Sequence, residues 1–207
     1  MNYIDMPVSE FTAALASSSP APGGGGASAL AAALGAALAC MVGNLTVGKK
    51  KYAENEPRLR ELIAEAQSLR ERLLALVDAD AEAFLPLAAA YRLPKDAPGR
   101  DAVMEKCLAD AAAVPMEILE LSCQVIALQE EFAALGSSLA VSDAGTGAVF
   151  AWAAMYGAAL NVLVNTRLMA DRERAVDMNR RVNELMQEYR VKAGRVYGDI
   201  FAKLSDK

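Results

Sequence analysis

The sequence predicts an all-α fold, a multihelical bundle built around two long, buried, Ala/Gly-rich central helices. Hydrophobic residues make up 54% of the chain but aromatics only 6%, so the interior must be mostly Ala, Leu and Val. Small residues with few β-branched runs favour closely packed helices over sheet. No charged residue occurs in residues 11–48 or 144–166, and uncharged segments of that length read as helices buried on all sides. Elsewhere apolar residues recur near the helical period, and no strand alternation is present. The 207 residues suit one domain, 1–207, with a sizeable core.

A short helix is expected over 7–17, with Pro7 at its start and Ser9-Glu10 in the first turn. Residues 18–26, ending in Pro22-Gly23-Gly24-Gly25-Gly26, read as a loop, and 27–47 as the first central helix. There Ala27, Ala31, Gly35, Ala39 and Gly43 form a smooth ridge for close approach, and Leu30, Leu34 and Leu38 a bulkier one. Pro57 opens a long helix reaching about Tyr91, with a kink expected at Pro86. After a loop at 93–99, separate helices are expected over 100–114 and 115–135, closed by Gly136. Residues 137–142 read as coil or one further turn, and 143–166 as the second central helix. An amphipathic helix over 168–203 repeats Val176, Val182, Leu185, Tyr189, Val196 and Ile200 near helical spacing.

Composition excludes several function classes. There is no histidine, which removes Ser-His and Cys-His dyads and histidine-ligated zinc. Proton chemistry must then come from a carboxylate, lysine, tyrosine or thiol shifted by its surroundings. A net charge of -5 argues against a nucleic-acid partner. Cys40, Cys107 and Cys123 are odd in number and lack a CxxC spacing, so they read as reduced, buried thiols of a cytoplasmic protein. No basic region leads into an apolar core at residues 1–5, so no secretory leader is expected. The uncharged stretches hold about the ~20 apolar residues of a spanning helix, with Lys49-Lys50-Lys51 as an anchor. Their Ala and Gly content and Asn44, Asn161 and Asn165 favour burial inside a protein, with no membrane partner.

Asp80 stands out most. It falls on the apolar stripe Leu69, Leu73, Leu76, Val77, Phe84 and Leu87, whereas Asp78 and Glu82 fall on flanks read as solvated. An inward carboxylate without a cation has its pKa raised, which poises a general acid or base; a structural ion pair is the alternative. Ser142 or Asp143 reads as an N-cap of the second central helix. Asn161 and Asn165 share a helix face and need partners, either backbone or ligand, and Asn44 poses the same choice. The glycine turn offers amides to an anion at a helix start, or is a plain linker. Lys49, Lys50, Lys51 and Tyr52 read as a solvated helix end, or as holding an anionic tail or placing an ammonium beside Asp80. Cys40 has no visible base.

Read together, these segments resemble the formiminotransferase-cyclodeaminase C-terminal domain and methenyltetrahydrofolate cyclohydrolase family. The matching pieces are Ser19-Pro20-Ala21-Pro22-Gly23-Gly24-Gly25-Gly26-Ala27-Ser28, Asn44-Leu45-Thr46-Val47-Gly48-Lys49-Lys50-Lys51-Tyr52 and Asp78-Ala79-Asp80-Ala81-Glu82-Ala83-Phe84. Arg92-Leu93-Pro94-Lys95, Ser142-Asp143-Ala144-Gly145 and Asn161-Val162-Leu163-Val164-Asn165 follow in order. Gly26 departs from the family's three glycines, which leaves the assignment of individual loop amides open. The resemblance implies a homodimer and a folate site with Asp80, Asp143 and Lys50 as catalytic candidates. Pro22, Gly23, Gly24, Gly25, Asn44, Lys49, Tyr52, Asn161 and Asn165 are implied to bind substrate, with no metal. No cofactor is implied beyond tetrahydrofolate, which is carrier and part of the substrate. The implied activity lies at the N5–C–N10 bridge: methenyltetrahydrofolate cyclohydrolase or formimidoyltetrahydrofolate cyclodeaminase, with a lean to the former. A helical folate-binding or scaffold protein without chemistry is the competing reading, and a wide separation of Asp80 from Asp143 would favour it.

Overall fold

Helices account for every long element of the computed structural model, which describes residues 2–205, and no strand occurs among them. After a 3-10 turn at Tyr3–Asp5 come α1 (Val8–Leu15) and α2 (Gly24–Asn44). A turn at Lys50–Asn55 leads to α3 (Glu56–Ala90) and α4 (Arg100–Leu135). A turn at Ser138–Ala140 leads to α5 (Val141–Thr166) and α6 (Arg172–Ser205).

Helices α2 and α5 run antiparallel, and they approach closely because small residues line their contact. Gly24 meets Asn161 at one end, Gly157 meets Ser28, and Gly35 meets Gly147 and Ala151 midway. A Cβ on Gly35 would lie 2.9 Å from the Gly147 carbonyl oxygen, closer than any real side chain permits. α4 crosses beneath both, and its fully buried Gln129 donates Nε2 to the Gly35 carbonyl at 2.8 Å. α3 packs against α2 and α4, and α6 against α4 and α5. Leu73, Leu76, Ile118, Ile126, Met155 and Val162 fill the main core. Leu59, Leu62 and Phe132 fill a second, toward the C-terminal end of α2. Full burial of each such side chain contributes about 1.5–3 kcal/mol.

The structure corrects three expected boundaries. α2 begins at Gly24, not Ala27, so three of the four glycines form its first turn and Ala27 N–H closes onto the Gly23 carbonyl at 3.0 Å. The expected break at Pro115 is absent, and α4 is continuous. Pro115 leaves the carbonyl four residues earlier, that of Ala111, without its helical donor. The Asn165 Nδ2 supplies one at 3.0 Å, so an α5 side chain repairs the α4 ladder. Helix α5 begins at Val141, two residues before Asp143, with Ala140 as its cap and no side-chain cap bond. Neither Ser142 nor Asp143 is therefore the N-cap; Asp143 is half-buried in the first turn.

The outer faces of α2 and α5 are apolar and uncovered. Leu34, Met41 and Leu45 are exposed on one, and Phe150, Tyr156, Leu160 and Val164 on the other. Gly24–Asn44, Arg100–Leu135 and Ser138–Thr166 are long and apolar enough to cross a membrane by length and composition. Gly35→Ala should lower the unfolding free energy by about 1–3 kcal/mol, an overpacking cost, measured by urea denaturation. An unchanged midpoint would mean that α2 and α5 do not approach this closely.

Candidate active site

The N-terminus of α2 is the anion-binding end of that helix, and its occupant is a side chain of this same protein. Asp80 on α3 points its carboxylate at the first turn, and Gly26 N–H donates to Oδ2 at 2.9 Å. Gly25 is buried directly beneath, where any Cβ would overlap the Asp80 carboxyl. Gly23 has a φ of -124, an ordinary extended value, so the glycines serve close approach and not unusual backbone geometry. Burial pushes the Asp80 carboxyl above its ordinary 3.8, and the Gly26 hydrogen bond opposes that in part. The carboxyl is thus held nearer neutrality, as an acid–base group requires.

A cavity of about 210 Å³ opens beside it. Pro20, Ala21, Gly23 and Gly24 form one wall, Asp80 and Phe84 another, and Asn161, Val164 and Asn165 the α5 side. Ala111 and Pro115 form its α4 side. Among the described residues Asp80 is the only charged one in the lining, and no Lys or Arg side chain lines the cavity beside it. Asn161 donates Nδ2 to the Gly157 carbonyl at 2.8 Å. Asn165 donates to the carbonyls of both Ala111 and Asn161, so both of its amide hydrogens are taken up within the protein. Its main task is structural, and only its carbonyl oxygen is left for a ligand. Pro22 is buried outside the lining, which uses Pro20 and Ala21 instead.

The remaining candidates lie at the other end of the helix pair. Asn44 is exposed on the last turn of α2, and Lys49 reaches the Ser137 hydroxyl at 3.4 Å. The Tyr52 hydroxyl accepts the Ser138 N–H at 3.1 Å. Hydrogen bonding from Ser138 brings the Tyr52 hydroxyl down from 10.0 to about 8. Lys50 is exposed, and Asp143 is half-buried one turn into α5. The 21 residues of α2 span about 30 Å. Within one chain, then, neither Lys50 nor Asp143 stands beside Asp80. The motifs follow one another in sequence, but the antiparallel helices carry them to opposite ends.

Phe84, Ala111, Pro115 and Val164 line the cavity although the sequence reading does not single them out as site residues. Phe84 had a usable signal, since it sits one turn beyond Asp80 on the same stripe. Among the described residues no group of three or more Cys, Asp or Glu side chains is placed to hold a metal ion.

Fold and cavity define a helical domain with a carboxylate-and-amide site for a small molecule. The model of the formiminotransferase-cyclodeaminase family matches residues 7–184, and the chain belongs to that family. A methenyltetrahydrofolate cyclohydrolase of Methylorubrum extorquens is 38% identical over 202 residues, covering 96% of this chain and 97% of that protein. The formimidoyltransferase-cyclodeaminase of Rattus norvegicus is 34% identical over 204 residues, and the chain spans 38% of that relative's length. The crystal structure of a formiminotetrahydrofolate cyclodeaminase from Thermotoga maritima superposes with a TM-score of 0.83 at 26% identity. That match covers 95% of this chain and 98% of the other.

Asp80 also sets a pH dependence. Its folded pKa lies above the ordinary 3.8, so its share of stability is complete below that value and is lost as pH rises through the raised one. Asp80→Asn does not ionise, so the wild type should lose stability relative to it as pH rises from the ordinary 3.8 through the raised value. Urea unfolding of both proteins at each pH checks this. A wild type that gains on the variant as pH rises would mean that the Gly26 amide outweighs burial.

Proposed function

We propose that this chain is a one-carbon folate enzyme acting at the N5–C–N10 bridge of tetrahydrofolate, a methenyltetrahydrofolate cyclohydrolase or a formimidoyltetrahydrofolate cyclodeaminase. The observation that carries the reading is Asp80, a carboxyl raised by burial in a cavity that no cation lines among the described residues. The methenyl bridge is an amidinium-like cation, and an adjacent carboxylate stabilises it. In the hydrolytic direction water adds to the bridge carbon and loses a proton. The C–N5 bond then breaks as N5 takes up a proton and the new hydroxyl gives one up, leaving the formyl group on N10. In the deaminating direction N10 attacks the formimino carbon and gives up its proton, and the formimino nitrogen takes up two protons and leaves as ammonia, restoring the cationic bridge. Each route needs a group that accepts and returns a proton near neutrality, which Asp80 can do. Tetrahydrofolate carries the reacting carbon, and no further cofactor enters either route. The Methylorubrum relative, matched over nearly its full length, supports the lean to the cyclohydrolase. Three buried, unpaired thiols support a place in reducing cytoplasm.

The separation of Asp80 from Asp143 is the one observation that favours the rival reading, a folate-binding scaffold. A homodimer removes the difficulty. A cavity of about 210 Å³ is smaller than the roughly 300–1,000 Å³ that encloses a drug-sized ligand, so a folate needs further walls. The bare apolar face of α2 and α5 suits a second copy of the chain. A two-fold axis across the helices sets each copy's Lys49, Lys50, Tyr52 and Asp143 against the other's Asp80. An axis along the helices would instead oppose the two lysine runs. On this reading Asp80 acts with Asp143 and Lys50 of the other copy. Gly23, Gly24 and Asn161 hold the reacting end, while Asn44, Lys49 and Tyr52 face the anionic tail.

Loss of methenyltetrahydrofolate absorbance, run beside its appearance from the formimino substrate with ammonia release, tests the activity. Asp80→Asn should cut turnover by roughly a hundredfold or more with the fold intact; a normal rate would make Asp80 structural. Mixing Asp80→Asn chains with Asp143→Asn chains should restore about a quarter of the wild-type rate, since half the sites in each mixed dimer are whole. No recovery on mixing would confine the site to one chain, and silence toward both substrates with folate still bound would favour the scaffold.

A further inference from the structure

We infer that Asp78 and Tyr3 are positioning residues that hold the loop wall of the Asp80 cavity. The inference rests on the folate reading only for its kinetic consequence. Asp78 lies two residues before Asp80 on α3, so the two point to different sides of that helix. The Asp78 carboxylate accepts the Tyr3 N–H at 2.5 Å and the Ile4 N–H at 3.5 Å. This corrects its reading as a solvated flank residue. Ile4 and Met6 pack on the main core beside Phe11, so the segment has an apolar anchor as well. The Tyr3 hydroxyl then donates to the Ala21 carbonyl at 3.0 Å.

Ala21 is itself a wall of the cavity. Among the described residues, the Tyr3 hydroxyl makes the one hydrogen bond that ties residues 18–23 to an element other than α1 and α2. Two carboxylates of one helix therefore grip the segment 21–26 at both ends. Asp80 takes the Gly26 amide directly, and Asp78 takes the Ala21 carbonyl through Tyr3. Both grips start from α3, so the Ala21 wall and the reacting carboxyl are referred to one helix. A wall held in this way acts on substrate binding and not on the proton transfer itself.

Tyr3→Phe deletes the hydroxyl and keeps the ring. It should raise the KM for the folate substrate about 3- to 10-fold, the worth of one neutral hydrogen bond, with kcat within about twofold and the melting temperature lowered by no more than a few degrees. Amide exchange at Ala21 and Gly23 should quicken while that of α4 stays as it was. Asp78→Ala should raise KM similarly, and the double variant should add little, because both act through one strap. An unchanged KM in Tyr3→Phe, or single effects that multiply in the double variant, overturns the inference. If the unsubstituted protein turns over neither folate, the functional reading falls, and the exchange rates still decide whether Tyr3 holds the loop: unchanged exchange overturns the strap.

Discussion

The contact between the Asp80 carboxylate and the first turn of α2 organises the rest of this molecule. It joins α3 to α2 at the point where the helix presents unpaired amides, and it demands that Gly25 have no side chain. A helix N-terminus attracts a negative charge, and burial resists one. The outcome is a carboxyl held above its ordinary range, with burial the larger effect. The same turn brings Gly24 against Asn161 of α5, so the glycines fix the cavity wall and the proton-binding group together.

Close packing of α2 on α5 exacts a geometric consequence. Antiparallel helices of 21 and 26 residues carry their terminal motifs to opposite ends. The end with Asp80 has a carboxylate and amides; the end with Lys49, Lys50 and Tyr52 has cations and a phenol of lowered pKa. Between them runs an uncharged apolar face. Among the described residues the Asp80 cavity has no cation in its lining, and on the proposed dimer a second copy laid across that face in reverse would supply one at each of two equivalent sites.

Much of this was legible in the sequence, for physical reasons that differ from residue to residue. The all-helical class followed from composition and period. Asp80 was legible because a carboxylate on an apolar stripe violates the pattern around it. The glycine run was misread as a loop, since composition does not distinguish glycine kept for flexibility from glycine kept for close approach. Pro115 read as a break because its repair by Asn165 comes from a helix 50 positions further along the chain. Asp78 looked solvated for the same reason: its partners, Tyr3 and Ile4, are distant in sequence. The spacing between Asp80 and Asp143 was not legible at all, because motif order along a chain carries no information about which ends of a helix pair they occupy.

A crystal structure of the protein with bound tetrahydrofolate tests the central claim most directly. The N5 and N10 atoms should lie within hydrogen-bond reach of the Asp80 carboxyl, against Gly24 and Asn161, with the glutamate tail leading, on the proposed dimer, to the lysines of a second copy. A folate seated elsewhere, such as in the apolar groove between Val149 and Phe201, with the Asp80 cavity empty, would contradict it.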